Sequence, residues 1–287
     1  MRKLTHTHLL LWTMSLMIFP LIGLGEFNHN EWNRLLKEHV VSIRGGQVTQ
    51  VDYDGFLRSR EDLRNYLADL SRVDRPQFNA WGKSEQLAFL INAYNAWTVE
   101  VVLTRYPQLE SIRDIGLFPS SVWRKNIVKL FGDKHSLDDI EHKMIRGSGL
   151  YEEPRIHFAL NCAAIGCPAL RVEAYVGVHL DRQLEEDTEL FLIDKSRNYF
   201  LNGKLYISPI FDWYREDFEN GWSGIKSVSQ FLSSYRKQLG LNPEAHLDLQ
   251  RDNIPLKFLE YDWSLNRIVA DRDNGSALIG ILNDSII

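Results

Sequence analysis

Apolar positions along this chain recur at two spacings, and the change from one to the other predicts where helices give way to strands. From Glu31 to Ile43 the residues Trp32, Leu35, Leu36 and Val40 lie three and four apart, which gathers them on one face of a helix. "RGGQVTQVDYDG" breaks that period and reads as a turn and a short strand, after which Asp54 is placed to cap a helix reaching about Leu70. The run from Ser84 to Tyr106, "SEQLAFLINAYNAWTVEVVLTRY", is apolar on nearly every side, so the longest helix is predicted to be central and buried, capped by Ser84 and stopped by Pro107. "NIVKLFGDKHSL" predicts a hairpin about Gly132-Asp133, and Ser136 with Asp139 three residues later predicts a capped helix start before "LDDIEHKMIR". "RIHFAL" reads as a strand, and Leu180 to Ile193, amphipathic and acidic, as a helix. "NYFLNGKLYISP" sets Asn202-Gly203 between two β-prone runs, a strong hairpin signal, and a last helix is predicted over Val228 to Leu239. Helices and short strands mix without regular alternation, so the fold class is α+β, a single domain with a central buried helix.

No internal repeat, Pro/Ser-rich linker or second apolar span interrupts the chain. The expected organisation is a signal peptide over 1–25, a helical segment over 26–75 and an α+β domain over 76–287. The amino terminus supports the first of these: Arg2 and Lys3, an apolar run from about Leu9 to Leu24, then the small-x-small triplet Gly23-Leu24-Gly25. The run is broken by Thr13, Ser15 and Pro20 and falls short of the roughly 20 residues of a comfortable span. Cleavage near Gly25 is expected, the other reading being an uncleaved anchor. Neither cysteine ends the run, which excludes a cysteine-linked lipid. The protein is therefore expected to be exported, periplasmic or extracellular, with no stable membrane span after cleavage. The formal charge is -5, and losing Arg2 and Lys3 takes 33 basic residues to 31 against 38 acids, which is -7. Mild acidity excludes nucleic acid as a partner and leaves a small-molecule or peptide ligand.

Four motifs in order, "LAFLINAYNAWTV", "SLDDIEHKMIR", "RIHFALNCAAIGCPALR" and "ISPIFDWYREDF", give the chain a resemblance to bacterial members of the family called domain of unknown function 547, over roughly residues 80–220. The resemblance implies a kind of protein and brings no established activity, so the chemistry has to come from the residues.

Both cysteines fall in "RIHFALNCAAIGCPALR", spaced His157-x4-Cys162-x4-Cys167. As a thiol enzyme the segment supplies Cys162 or Cys167 as nucleophile and His157, His142 or His135 as base, with Glu141, Asp212 or Asn95 to orient it. Asn161 and Gly166 are turn residues that let histidine and cysteine converge, and a cysteine opening a short helical turn there has a depressed pKa. Cys162 is the expected reactive sulfur, since Cys167 is held against Pro168. As an exported pair the two also suit a structural or redox disulfide, worth on the order of 2 to 3 kcal/mol for so small a loop. The x4 spacing matches no common closed zinc pattern, so no metal or other cofactor is expected. Asp212, Glu216 and Asp217 among the aromatics of "FDWYREDFENGW" form a further candidate, for sugar chemistry. Asn92 and Asn95, three apart in the apolar helix, must find polar partners and are expected, with Asn161, to face the cysteine loop or a substrate. The leading expectation is a thiol-dependent hydrolase or transferase of the cell envelope; the alternative is a non-enzymatic envelope protein with a disulfide and a partner-binding surface.

Overall fold

A helix that is apolar all round has to be enclosed, and the rest of the chain encloses this one. In the computed structural model, which describes residues 26–115 and 123–268, the central helix is Lys83–Leu103, with 17 of its 21 residues buried. The expected signal segment, 1–25, lies outside the described residues. The helix starts one residue before Ser84, with Gly82 in the cap position and no side-chain cap, and it ends before Tyr106. At that end the Thr104 hydroxyl donates to the Val101 carbonyl and competes with continuation of the helix.

Helix Arg60–Arg72 packs on it, and Asn30–His39 packs in turn on Arg60–Arg72. Asn30–His39 is shorter than its spacing predicts, because Val40–Ile43 leaves the helix to pair antiparallel with Val48–Val51. Asp52, not Asp54, caps the next helix by accepting from the Gly55 amide, and that helix breaks at Ser59 into Tyr53–Arg58 and Arg60–Arg72. A short helix, Arg75–Ala80, opens on an Asp74 cap with proline in its first turn. The hairpin Val128–Leu130/Asp133–His135 forms as predicted, and Ser136 and Asp139 exchange amide bonds of 3.0 and 2.8 Å. The helix they open, Asp139–Ile145, has the wide turn of a π-helix.

"RIHFAL" is not a strand. Pro154 opens a buried 3-10 turn, Pro154–Phe158, that starts where Glu153 accepts from the Arg155 amide, and proline is pre-organised for that position. No helix begins at either cysteine, which removes the helix-terminus argument for a low thiol pKa. Leu180–Ile193 is helical to both predicted ends. The Asn202-Gly203 hairpin joins Tyr199–Leu201 to Lys204–Ile207, with both turn residues at positive φ, and gains a parallel third strand, Leu256–Phe258. The last predicted helix is two, Val228–Ser233 and Arg236–Leu239, followed by Pro243–Gln250 on an Asn242 cap.

The apolar side chains gather in two clusters. One surrounds the central helix and includes Trp32, Leu70 and Cys167; the other is rich in phenylalanine, with Phe158, Phe191, Phe211, Phe218 and Phe231. Tyr261 packs against both. Among the described residues no helix is long and apolar enough to cross a membrane.

Candidate functional site

The cysteine loop is shaped by side-chain amides and one guanidinium. Asn95, from the middle of the central helix, donates to the Ala159 carbonyl at 2.9 Å and accepts from the Asn161 amide at 2.9 Å. Asn161 passes the restraint on, donating to the Pro168 carbonyl at 2.7 Å and accepting from the Ala163 amide at 2.9 Å. Arg197, buried, donates to the carbonyls of Ile165 and Cys167. From the far side, the Ile165 and Gly166 amides reach the Ser264 and Asp262 carbonyls, both at 2.8 Å. Gly166 must be glycine here, since an added Cβ would meet the Tyr261 ring at 2.9 Å.

Within that frame the sulfurs of Cys162 and Cys167 lie at bonding distance, with α-carbons 6.0 Å apart. Cys167 is 3% exposed, whereas Cys162 is partly open. The Cys162 amide donates to the Cys167 sulfur at 3.0 Å, and so does the Tyr261 hydroxyl at 3.1 Å; that hydroxyl lies 3.3 Å from the Cys162 sulfur.

His157 sits on the buried 3-10 turn just ahead of the loop. Its Nε2 is 2.7 Å from Asp217 Oδ2, and Asp217 is also bonded by Arg146, whose Nη2 donates at 3.1 Å to Oδ1. The imidazole stacks on Tyr214, with ring centres 3.9 Å apart. Burial lowers the pKa of His157, and the Asp217 bond works against that fall. Burial alone would raise the Asp217 carboxyl, but hydrogen bonds from His157 and Arg146 outweigh it and hold the group at about 2.

Both halves open onto one cavity of about 210 Å³, lined by Cys162, Cys167, His157, Glu141 and His142 and walled by aromatic rings that include Tyr94, Trp213, Tyr214, Tyr261 and Trp263. Glu141 is 6% exposed, and burial followed by its charge raises the pKa of the Tyr94 and Tyr214 phenols. His142 Nδ1 is 4.0 Å from Glu141 and 2.9 Å from Arg146 Nη1.

Three expected residues stand elsewhere. Asp212 is half-exposed and pairs with Arg215 at 3.2 Å, outside the cavity; its short helix turns it toward the next turn of chain. Asn92 clamps Tyr175 instead of the cysteine loop, donating to its carbonyl at 2.7 Å and accepting from its amide at 3.0 Å. His135 stays on its hairpin, 3.2 Å from the Leu130 carbonyl. Asp217, considered for sugar chemistry, is occupied by His157 and Arg146. Of the partners that complete the site, Arg146 and Tyr214 lie within the motifs "SLDDIEHKMIR" and "ISPIFDWYREDF" but were not singled out, and Tyr261 and Trp263 lie in no motif. Among the described residues no three His, Cys, Asp or Glu side chains are grouped to hold a metal ion.

A family model described as protein of unknown function, DUF547, matches residues 78–192, a stretch that runs from the short helix before the central one to the end of Leu180–Ile193 and contains both cysteines. No curated protein and no solved structure matches the chain.

Proposed function

We propose that this chain, whose residues 78–192 belong to the DUF547 family, is a thiol-dependent hydrolase or transferase exported to the cell envelope. Cys162 is the nucleophile, His157 its base and Asp217 the group that orients the base. One observation carries the reading: Cys162 and His157 line the same aromatic-walled cavity, and Asp217, 60 residues from His157 in sequence, stands behind the imidazole at 2.7 Å. A partly buried carboxylate behind an imidazole that shares a cavity with a sulfur is the relation a thiol nucleophile requires. Asp217 engages Nε2, so Nδ1 is the nitrogen left to take the Cys162 proton. The thiolate then adds to an acyl carbon, the leaving group departs with the proton from His157, and water or a second nucleophile releases the acyl group from sulfur.

This chemistry needs the sulfur bridge open, and the loop is held by hydrogen bonds besides the bridge. Asn95, Asn161, Arg197 and the 262–264 backbone fix the same turn that the bridge spans. The amino-terminal basic and apolar run, together with a bridged cysteine pair, supports export.

The test is alkylation of the reduced protein by iodoacetamide. In Cys167→Ser, Cys162 is expected to label at least tenfold faster at pH 7 than a free thiol peptide, and adding His157→Asn should remove that advantage while the fold persists by circular dichroism. If Cys162→Ser and Cys167→Ser label equally slowly and lose equal melting temperature, the pair is a staple and the thiol enzyme reading is withdrawn.

A further inference from the structure

The geometry points to a second activity at the bridge, thiol–disulfide exchange with a fixed direction, in which an incoming thiolate attacks Cys162 and Cys167 leaves. Four observations converge on this. Both cysteines line the cavity, but Cys162 is a partly exposed residue and Cys167 a buried one, at 3% exposure. An external thiolate reaching the cavity therefore meets Cys162 first.

The second observation is where the hydrogen-bond donors point. The Cys162 amide donates to the Cys167 sulfur at 3.0 Å, and the Tyr261 hydroxyl lies 3.1 Å from Cys167 and 3.3 Å from Cys162. Cys167 thus has a backbone donor in addition to its share of the hydroxyl; donors on a sulfur stabilise negative charge there, and a thiol with stabilised charge is the better leaving group in exchange. The third is the frame: Arg197 on the Ile165 and Cys167 carbonyls and Asn161 on Pro168 keep Cys167 in place once the bond is cut. The departing thiolate stays beside its donors. The fourth is access, since Trp213 on the wall of the cavity is 48% exposed.

The electron count closes with a dithiol as reductant. One thiolate of the dithiol forms a bond to the Cys162 sulfur while the Cys162–Cys167 bond breaks, its electron pair remaining on Cys167. The second thiolate then attacks the reductant's own sulfur in the mixed disulfide and releases Cys162. The reductant ends as a disulfide and the protein as two thiols, with two protons transferred. Tyr261 is a positioning residue in this scheme, acting through Cys167. The inference stands apart from the acyl chemistry, which concerns what Cys162 does after opening.

The experiment treats the oxidised, native protein with glutathione, quenches in acid, alkylates the freed thiol and maps both modifications by peptide mass. Glutathione is expected on Cys162 and the alkyl group on Cys167 in at least a tenfold excess over the reverse. Equal distribution, the reverse distribution, or no opening by dithiothreitol until the protein unfolds would each overturn the proposal. A second measurement follows thiolate absorbance of Cys167 in Cys162→Ser. Adding Tyr261→Phe should raise the Cys167 pKa by about one unit, about tenfold in thiolate fraction, and slow opening of the wild-type bridge by a similar factor. An unchanged pKa removes Tyr261 from the scheme and counts against the directed mechanism. Failure of directed opening leaves the His157 dependence of Cys162 alkylation untouched, so the two readings fall separately.

Discussion

Asn92 and Asn95 lie one helical step apart, and each anchors a different loop with both ends of its amide: Asn92 holds Tyr175, and Asn95 holds Ala159 and Asn161. Removing either leaves a buried amide and carbonyl without partners, at about 1 to 3 kcal/mol each. Asn92→Leu and Asn95→Leu should therefore destabilise by similar amounts in chemical denaturation. Only Asn95→Leu should also change the alkylation rate of reduced Cys162, because only Asn95 ties down the cysteine loop. Equal labelling in the two variants would mean that the loop keeps its shape without Asn95. Asp217 belongs to the same scale. Its carboxyl is held low, so the contribution of its pair with His157 is present above the ordinary carboxylate range and is lost as pH falls from about 3.8 toward about 2. Asp217→Asn should remove that acid-limb dependence and leave His157 without its charged partner. Thiol labelling should slow, read as a lower rate constant at pH 7 with unchanged near-ultraviolet circular dichroism.

The elements show which features of the sequence were enough to specify structure. Leu180–Ile193 and the Asn202-Gly203 hairpin were legible because each is decided within about a dozen residues, by amphipathic period in one and by a dipeptide that accepts positive φ in the other. "RIHFAL" was not, because the apolar run says only that the segment is buried; Pro154 and the Glu153 cap, just ahead of it, turn it into a 3-10 turn. The central helix was legible in kind and misjudged by a few residues at its end, where one threonine hydroxyl ends it. Leu90, 1% exposed in that helix, gives the sharpest test of its role. An unpaired carboxylate there costs several kcal/mol against a marginal total, so Leu90→Asp should abolish soluble expression. A soluble variant with a cooperative melt would show that the helix is not central to stability. Of the candidate site, the half within residues 141–167 could be read from motifs. The half supplied by Asp217, Tyr261 and Trp263 depends on contacts across 60 to 99 residues, and no local period encodes those.

For the whole molecule, a buried histidine at the edge of the first cluster contributes to the response to acid. His29 is 4% exposed, its Nδ1 lies 2.7 Å from the Tyr66 hydroxyl, and its Nε2 has no partner among the described residues. Burial lowers its pKa to about 3. Between about 3 and 6.5 the unfolded chain therefore holds a proton at this site that the folded chain does not. Stability is complete above about 6.5 and falls as pH drops through that window, by up to about 1.4 kcal/mol per pH unit. Urea denaturation from pH 7 to pH 4 should show this slope. His29→Leu should flatten it by the share of one proton, leaving what His157 and His39, also lowered by burial, contribute. A slope identical in the variant would place the acid sensitivity elsewhere.

The segment from Tyr261 to Ile268 is stitched by hydrogen bonds to Val51, Glu110 and Ser111 as well as to the cysteine loop, and it brings the ring that covers the sulfurs. Tyr261 follows Cys167 by 94 residues. At the roughly 5 to 20 residues per second of synthesis, a chain made from its amino end carries both cysteines for about 5 to 20 seconds before that ring exists. During this interval the pair faces any oxidant with neither Tyr261 above it nor the cavity around it. A bridge closed in that interval is made before the ring that covers it in the finished protein exists.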